Sequence, residues 1–215
     1  MRRVFCLAGL VLCLTGCAQQ SQELVRAYNA DGVHLYRNAR YRDALDSFRA
    51  AQALKPDDPG LLYNLGSCYD QLGDDVHAEQ FYRNCLQADA NHADSRHALG
   101  VLLVRRGRVP EAQQMIQEWL VREPRLPAAY AEDGWMLYQA GDLPRARARL
   151  QQALELDAND ERSLTELGRV YEAMNQPDRA LVLYEKVLYR NPNEVDVRQR
   201  YNALLMKGTT YPKPN

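Results

Sequence analysis

Two histidines and an aspartate near the middle of the chain are of the types that bind a metal ion. They are His92, Asp94 and His97, and the last two are three residues apart on one predicted helix. Imidazole nitrogens and carboxylate oxygens at such spacing are ligands of Zn²⁺, whereas scattered surface histidines account for the same pattern without a metal. The sequence has no glycine-rich phosphate loop, no His-Glu-x-x-His pair and no nucleophile elbow. We therefore expect a protein that is not an enzyme and that holds no metal or cofactor.

One cysteine near the N-terminus lies in a context typical of covalent lipid attachment. Two arginines precede an apolar run at residues 4–14, which is shorter than the roughly 20 residues of a membrane-spanning helix. The run ends in Leu14-Thr15-Gly16-Cys17, which resembles a bacterial lipobox. A plain secreted protein with a chance Gly-Cys pair is the alternative.

The lipobox resemblance implies a division of the N-terminal region. Residues 1–16 would form a signal peptide, Cys17 would carry the lipid, and residues 17–24 would be a short tether. Several acyl chains give a stable anchor, because each buried CH₂ contributes about 0.8 kcal/mol. An aspartate after the cysteine would resemble an inner-membrane retention signal, so Ala18 implies an outer-membrane lipoprotein that faces the periplasm.

The remainder of the chain is dominated by a repeat of 34 residues. Glycines recur at this interval, at Gly32, Gly66, Gly100, Gly134 and Gly168. Alanines follow twelve residues after each glycine, at Ala44, Ala78, Ala112, Ala146 and Ala180. Small residues at two fixed positions let a pair of helices approach closely, and such a period is typical of stacked helix–turn–helix units.

Glycine and proline mark the predicted turns within and between the helix pairs. A glycine suited to a left-handed turn follows the first helix in three units, at Gly73, Gly107 and Gly141. A proline opens the second helix of three units, where its missing N–H costs nothing, at Pro110, Pro144 and Pro177. These local signals agree with the long-range period.

The units resemble tetratricopeptide repeats. The second contains Leu62, Leu65, Gly66, Tyr69, Ala78, Tyr82 and Cys85, and the fifth contains Leu164, Leu167, Gly168, Tyr171, Ala180, Tyr184, Val187 and Pro192. Counted in this register, five units cover residues 25–58, 59–92, 93–126, 127–160 and 161–194. The resemblance implies an all-α fold, a right-handed superhelical α-solenoid. An amphipathic segment at 195–207 is expected to cap the array, and residues 208–215 to form a flexible tail.

The resemblance also implies a concave groove, lined by the first helix of each unit, that binds a helix or an extended segment of a protein partner. The groove residues would include Tyr36, Arg37, Tyr63, Asn64, His97, Val101, Arg105, Trp135, Tyr138 and Arg169. Trp135 is either an aromatic anchor for the partner or a residue that packs across a wide groove or against the N-terminal segment. The carboxylate clamp of chaperone-binding repeat proteins resembles the groove in outline only, because Asp94 stands where that family has a lysine.

Two cysteines remain in the repeat region, Cys68 and Cys85. Both occupy small buried positions of their helices, and about nine residues of helix, or roughly 13 Å, would separate them along the packed pair. This distance exceeds the reach of a disulfide, so we expect two buried thiols.

Composition and charge narrow the class of partner. The 215 residues are 46% hydrophobic and 26% charged, and their formal net charge is −1. No strong positive field favours nucleic acid. The lipobox and the repeats together resemble Tad/Flp pilus assembly lipoproteins and type IV pilus pilotins. This resemblance implies an envelope-anchored interaction scaffold whose partner would be a secretin or a pilus component. An adaptor for peptidoglycan enzymes or proteases, and a periplasmic metal- or ligand-binding protein, are the alternatives.

Overall fold

The computed structural model describes the backbone of residues 4–208 and the side chains of residues 19–208. Over this range the chain forms eleven helices and no strand. The helices are α1 (Val4–Arg37), α2 (Tyr41–Leu54), α3 (Pro59–Gln71), α4 (Asp75–Ala88), α5 (Ala93–Arg105), α6 (Val109–Arg122), α7 (Pro127–Gln139), α8 (Leu143–Leu156), α9 (Glu161–Ala173), α10 (Pro177–Arg190) and α11 (Val195–Met206). The predicted all-α class is confirmed.

The chain divides into two compact units between Gly107 and Arg108. In the N-terminal unit, α1 packs against α2 and α3 against α4, and α3 also contacts α1 and α5. In the C-terminal unit, α7 packs against α8 and α9 against α10, while α11 packs on α10. Each unit thus contains two packed helix pairs, with α5 added in the N-terminal unit and α6 and α11 added in the C-terminal unit.

At four of its five positions, the recurring glycine makes room for a large side chain of the second helix of the pair. A Cβ atom on Gly66 would lie 2.7 Å from the Tyr82 ring, and one on Gly134 would lie 2.6 Å from Leu150 Cγ. Gly32 stands in the same relation to Phe48. The five alanines of the second helices are fully buried. The 34-residue period therefore reflects the close approach of two helices, which larger side chains would prevent.

The turns between paired helices require a left-handed residue, as the sequence predicts. Gly73, Gly107 and Gly141 have φ angles of 76°, 74° and 77°. The same position is Ala39 in the first pair and Asn175 in the last, each with a φ of 57°. The turn geometry is therefore kept even where glycine is absent.

Side-chain caps and prolines define the helix starts. Asp58, Asp142 and Asp160 each accept a hydrogen bond from a backbone N–H in the first turn of the following helix. Proline occupies one of the first two positions of α3, α6, α7, α8 and α10. These residues satisfy or remove donors that the first turn of a helix leaves free.

Helix α1 is longer than the sequence analysis suggests. It continues through residues 17–24, where a tether was expected, and ends only at Arg37. This stretch has no proline or glycine after Gly16 and is rich in residues that tolerate a helix. Among the described residues, no helix combines the length and apolar character that a membrane span requires. The side chain of Cys17 and residues 209–215 lie outside the described part of the structure.

Helix α11 covers the apolar end of the C-terminal unit. Val197 and Leu204 are 2% and 4% exposed and join the core formed with Leu181, Tyr184 and Val187. Its opposite face carries Arg198 and Asn202, both exposed. Asn202 stands at the position that holds glycine in the five earlier units, so α11 does not offer the site on which a further helix would pack closely.

Candidate functional site

A cavity of about 210 Å³ lies between α1 and α3 of the N-terminal unit. Its lining includes four of the residues that the sequence predicts for the groove, Tyr36, Arg37, Tyr63 and Asn64. Val33, Phe48 and Ser67 complete the lining. A volume of this size admits a side chain rather than a whole small molecule, because ligand pockets usually span about 300–1,000 Å³.

Aromatic rings and amides hold the walls of this cavity in place. The rings of Tyr36 and Tyr41 meet edge to face, with centroids 5.3 Å apart. Tyr63 lies against His92, with ring centroids 5.4 Å apart. On α3, Asn64 Nδ2 donates a hydrogen bond of 3.0 Å to Asn29 Oδ1 on α1. The cavity is therefore a preformed feature of two packed helices.

Burial makes the phenol of Tyr36 harder to ionise. Desolvation, and then the proximity of Tyr63, raise its pKa from 10.0 to about 12. The hydroxyl group can therefore donate or accept a hydrogen bond at neutral pH without carrying charge.

Arg37 supplies the only charge among the seven lining residues. Its side chain is exposed, and among the described residues none forms an ion pair or hydrogen bond with it. The guanidinium is permanently cationic and presents five donors in a planar fork. An anionic group entering the cavity would meet these donors.

Two other predicted groove residues are bound by internal ion pairs. Arg105 Nη2 lies 2.6 Å from Asp70 Oδ1 and 2.6 Å from Asp75 Oδ1. The hydrogen bond with Asp70 raises the pKa of Arg105 above its ordinary value. Arg169 lies 2.9 Å from Glu166 and 2.6 Å from Asp196. Arg105 thus joins α5 to α3 and α4 in the N-terminal unit, and Arg169 joins α9 to α11 in the C-terminal unit.

Trp135 is buried, with 5% of its surface exposed. This burial favours the second alternative for Trp135, in which the side chain packs within the fold and is not an anchor for a partner. Tyr138 is half-buried and packs against the core of the C-terminal unit. His97 and Val101 are both half-buried on α5. The structure thus places four of the ten predicted residues together and gives other surroundings to the rest.

His92 has a structural role at the start of α5. Its Nδ1 atom accepts a hydrogen bond of 3.2 Å from the Ser95 backbone N–H. In the described part of the chain, no group of three or more histidine, cysteine, aspartate or glutamate side chains is placed to hold a metal ion.

The two thiols of the repeat region are buried, as predicted. Cys68 and Cys85 are both 0% exposed and free. The Cys85 thiol donates to the Pro59 carbonyl oxygen at 3.1 Å. Burial raises the pKa of Cys68 to about 12 and also raises that of Cys85, so neither thiol is an effective nucleophile at neutral pH.

Sequence reasoning did not single out Val33, Phe48 and Asn29. Val33 occupies the ninth position of its unit, as Ser67 does in the next unit. Phe48 reaches the cavity because Gly32 opposite it has no side chain. The repeat spacing could have identified Val33. The Asn29–Asn64 hydrogen bond could not be predicted in this way, because the residue types at these two positions differ from unit to unit.

Comparison with known proteins agrees with this architecture. Family models described as tetratricopeptide repeat match residues 30–93, 97–161 and 137–205. The crystal structure of a thermophilic TPR protein from Thermus thermophilus is 26% identical, with a TM-score of 0.67, and the alignment covers 85% of this chain and 99% of that one.

Two curated relatives are much longer than this chain. A TPR repeat-containing protein of Pseudomonas aeruginosa is 34% identical over 139 residues, which cover 64% of this chain and 24% of the relative. Cellulose synthase operon protein C of Xanthomonas axonopodis pv. citri is 28% identical over 220 residues, which cover 86% of this chain and 14% of the relative. The similarity is therefore confined to a small part of each relative.

Proposed function

Because the chain belongs to the tetratricopeptide repeat family, we propose that it is a non-enzymatic scaffold, held at the bacterial envelope by a lipid on Cys17, that assists pilus or secretion-system assembly. Repeats of this family indicate protein–protein interaction, since stacked units present extended surfaces to partners. The observation that carries the binding part of the proposal is the cavity between α1 and α3. Four predicted groove residues line it, and its cation, Arg37, has no partner among the described residues.

The proposed mechanism combines anchoring with capture of a peptide segment. The lipid keeps the repeats close to the membrane, which raises their effective concentration near envelope proteins. The groove then binds a helix or an extended segment of a secretin or pilus component. The lipobox sequence and the near-complete occupation of the remaining chain by repeats support this reading. The bacterial outer membrane is the proposed location.

Lipid attachment can be tested by metabolic labelling with radioactive palmitate. We expect wild-type protein and Cys13→Ser to incorporate the label, because Cys13 lies upstream of the proposed cleavage site. We expect Cys17→Ser to lose it and to keep its N-terminal segment. Equal labelling of Cys17→Ser and wild type would overturn the anchoring proposal.

The partner can be identified by affinity capture from detergent-solubilised envelopes, with mass spectrometry as the readout. Tyr63→Ala removes a wall of the cavity, and Tyr189→Ala serves as the control because Tyr189 is 88% exposed and lies on α10. We expect a secretin or pilus component to be retained by wild type and Tyr189→Ala and lost with Tyr63→Ala. Recovery of peptidoglycan enzymes with the same dependence on Tyr63 would instead show a cell-wall adaptor.

A further inference from the structure

A second cavity adjoins the same face of α1. It has a volume of about 350 Å³, and its lining includes Val25, Arg26 and Asn29 from α1 and Leu61 from α3. Asn29 also receives the hydrogen bond from Asn64, which lines the first cavity. The two cavities therefore lie along one surface, on either side of the Asn29–Asn64 bond.

This surface carries two cations on α1 that have no partner among the described residues. Arg26 is exposed, and no described side chain forms an ion pair or hydrogen bond with it; the same holds for Arg37. The two residues are eleven positions apart in a continuous helix, which corresponds to roughly 16 Å along its axis. They lie on one face, since eleven residues complete close to three helical turns.

The other charged residues that line the two cavities are compensated. Lys55 and Asp58 both line the second cavity, and they pair with each other at 2.6 Å. Asp58 also caps α3 by accepting from the Leu61 N–H at 3.1 Å. Near the first cavity, Asp70 pairs with Arg105. The uncompensated charge of the lining residues is therefore positive and comes from Arg26 and Arg37.

We infer that this face of α1 binds an acidic peptide segment, with one carboxylate at Arg26 and another at Arg37, and with an apolar or aromatic side chain in the cavity bounded by Tyr36 and Tyr63. Arginine pairs with carboxylate through two parallel hydrogen bonds. An extended segment advances about 3.3 Å per residue, so the two acidic residues would be about five positions apart. The inference rests on the proposed function and names the chemistry of its partner.

The test is selection of a displayed library of random twelve-residue peptides on the full chain in detergent. We expect the selected peptides to carry two acidic residues separated by about five positions, with an aromatic or aliphatic residue near one of them. Their affinities would then be measured by fluorescence anisotropy against Arg26→Gln, Arg37→Gln and Arg42→Gln. Arg42 is the matched control, because it is an exposed arginine of α2 without a described partner and lines neither cavity.

We expect Arg26→Gln and Arg37→Gln each to weaken binding by about tenfold or more, because each removes a charge-assisted hydrogen bond. Arg42→Gln should leave the affinity within about twofold of wild type, since surface charges remote from a site have small effects. Selected peptides that bind both Arg26→Gln and Arg37→Gln as well as wild type would overturn the inference and leave the scaffold function standing. If no peptide is selected, the inference is overturned, whereas the proposed function is decided separately by the affinity capture from envelopes.

Discussion

Ala39 holds a backbone conformation that an L-residue adopts at an energetic cost. Its φ angle is 57°, in the turn where three other units have glycine. We expect Ala39→Gly to stabilise the protein by about 0.5–1 kcal/mol, because glycine adopts this conformation without a steric penalty. Urea unfolding followed by circular dichroism measures the change.

Ala53→Gly is the control for this substitution, because Ala53 is exposed within α2. Glycine there should destabilise by about 1 kcal/mol. A loss of stability in Ala39→Gly as large as that in Ala53→Gly would contradict the proposed strain at residue 39.

The buried thiol of Cys68 makes the folded state sensitive to alkaline pH. Its pKa is raised by burial from 9.0 to about 12. The unfolded thiol loses its proton first, so the stabilisation from this group is fully present below pH 9.0 and is lost as pH rises towards about 12. We expect Cys68→Ala to make this decline in unfolding free energy shallower, by up to about 1.4 kcal/mol per pH unit.

Urea titrations of wild type and Cys68→Ala across this interval measure the difference. Comparison of the two slopes isolates Cys68 from the buried tyrosines Tyr82 and Tyr184, whose raised pKa values affect both proteins. Parallel pH profiles would show that Cys68 does not titrate in the folded and unfolded states as inferred.

Single residues also show which features can and cannot be predicted from the sequence. Gly73 and Cys68 were predicted correctly, because turn geometry and helix position act within one unit. The ion pairs of Arg105 and Arg169 were not predicted, because each depends on a carboxylate 27 to 35 residues away in another helix. The groove therefore holds a cation without a described partner at Arg37 and an internal ion pair at Arg105.

At the scale of paired helices, the residue types at two positions of the repeat change together from unit to unit. Most units have a leucine at the seventh position and an apolar residue at the twenty-third. In the first unit, Asp31 accepts a hydrogen bond of 2.5 Å from Ser47. In the fourth, Asp133 lies 2.7 Å from Arg149. Polar substitutions in one helix are thus matched in the facing helix.

The Asp133–Arg149 pair can be tested by a double-mutant cycle. Asp133 is 5% exposed, and burial raises its pKa although Arg149 and Gln117 oppose the shift. We expect Arg149→Leu to destabilise by about 2 kcal/mol or more, because it leaves a buried carboxylate without its cation. Asp133→Leu combined with Arg149→Leu should recover at least half of that loss, since leucine is the usual residue at the seventh position.

Thermal unfolding of the two single variants and the double variant gives the coupling energy. Additive losses in the double variant would mean that the two side chains stabilise their helices independently.

At the scale of elements, the sequence predicts helix starts better than helix continuity. Helices α3, α5, α7 and α9 begin at the first residues of the units counted from the repeat. Proline or capping side chains determine these starts locally. The extension of α1 before residue 25 has no such marker. The helix propensity of these residues permits a helix but does not distinguish a helix from a tether.

At the scale of the whole molecule, the apolar end of the C-terminal unit must be shielded from water. Val197 on α11 is 2% exposed within the core of the C-terminal unit, whereas Val195 is 67% exposed. We expect Val197→Asp to destabilise by about 3 kcal/mol or more, because it buries a charge, and to promote self-association of the exposed end.

Val195→Asp is the matched control and should change stability by no more than about 0.5 kcal/mol. Thermal unfolding and sedimentation velocity provide the two readouts. A Val197→Asp variant as stable and as monodisperse as Val195→Asp would show that α11 does not cap the unit.

Helix α1 also determines how the molecule would respond to mechanical force. It continues without a break to Arg37 and packs against α2. Because α1 is continuous over Val4–Arg37, a force applied at its N-terminal end would be transmitted along the helix axis to the α1–α2 contact. If the chain is anchored at that end, as proposed, this contact would bear the load first, and its rupture force would set the tension at which the first helix pair begins to unfold.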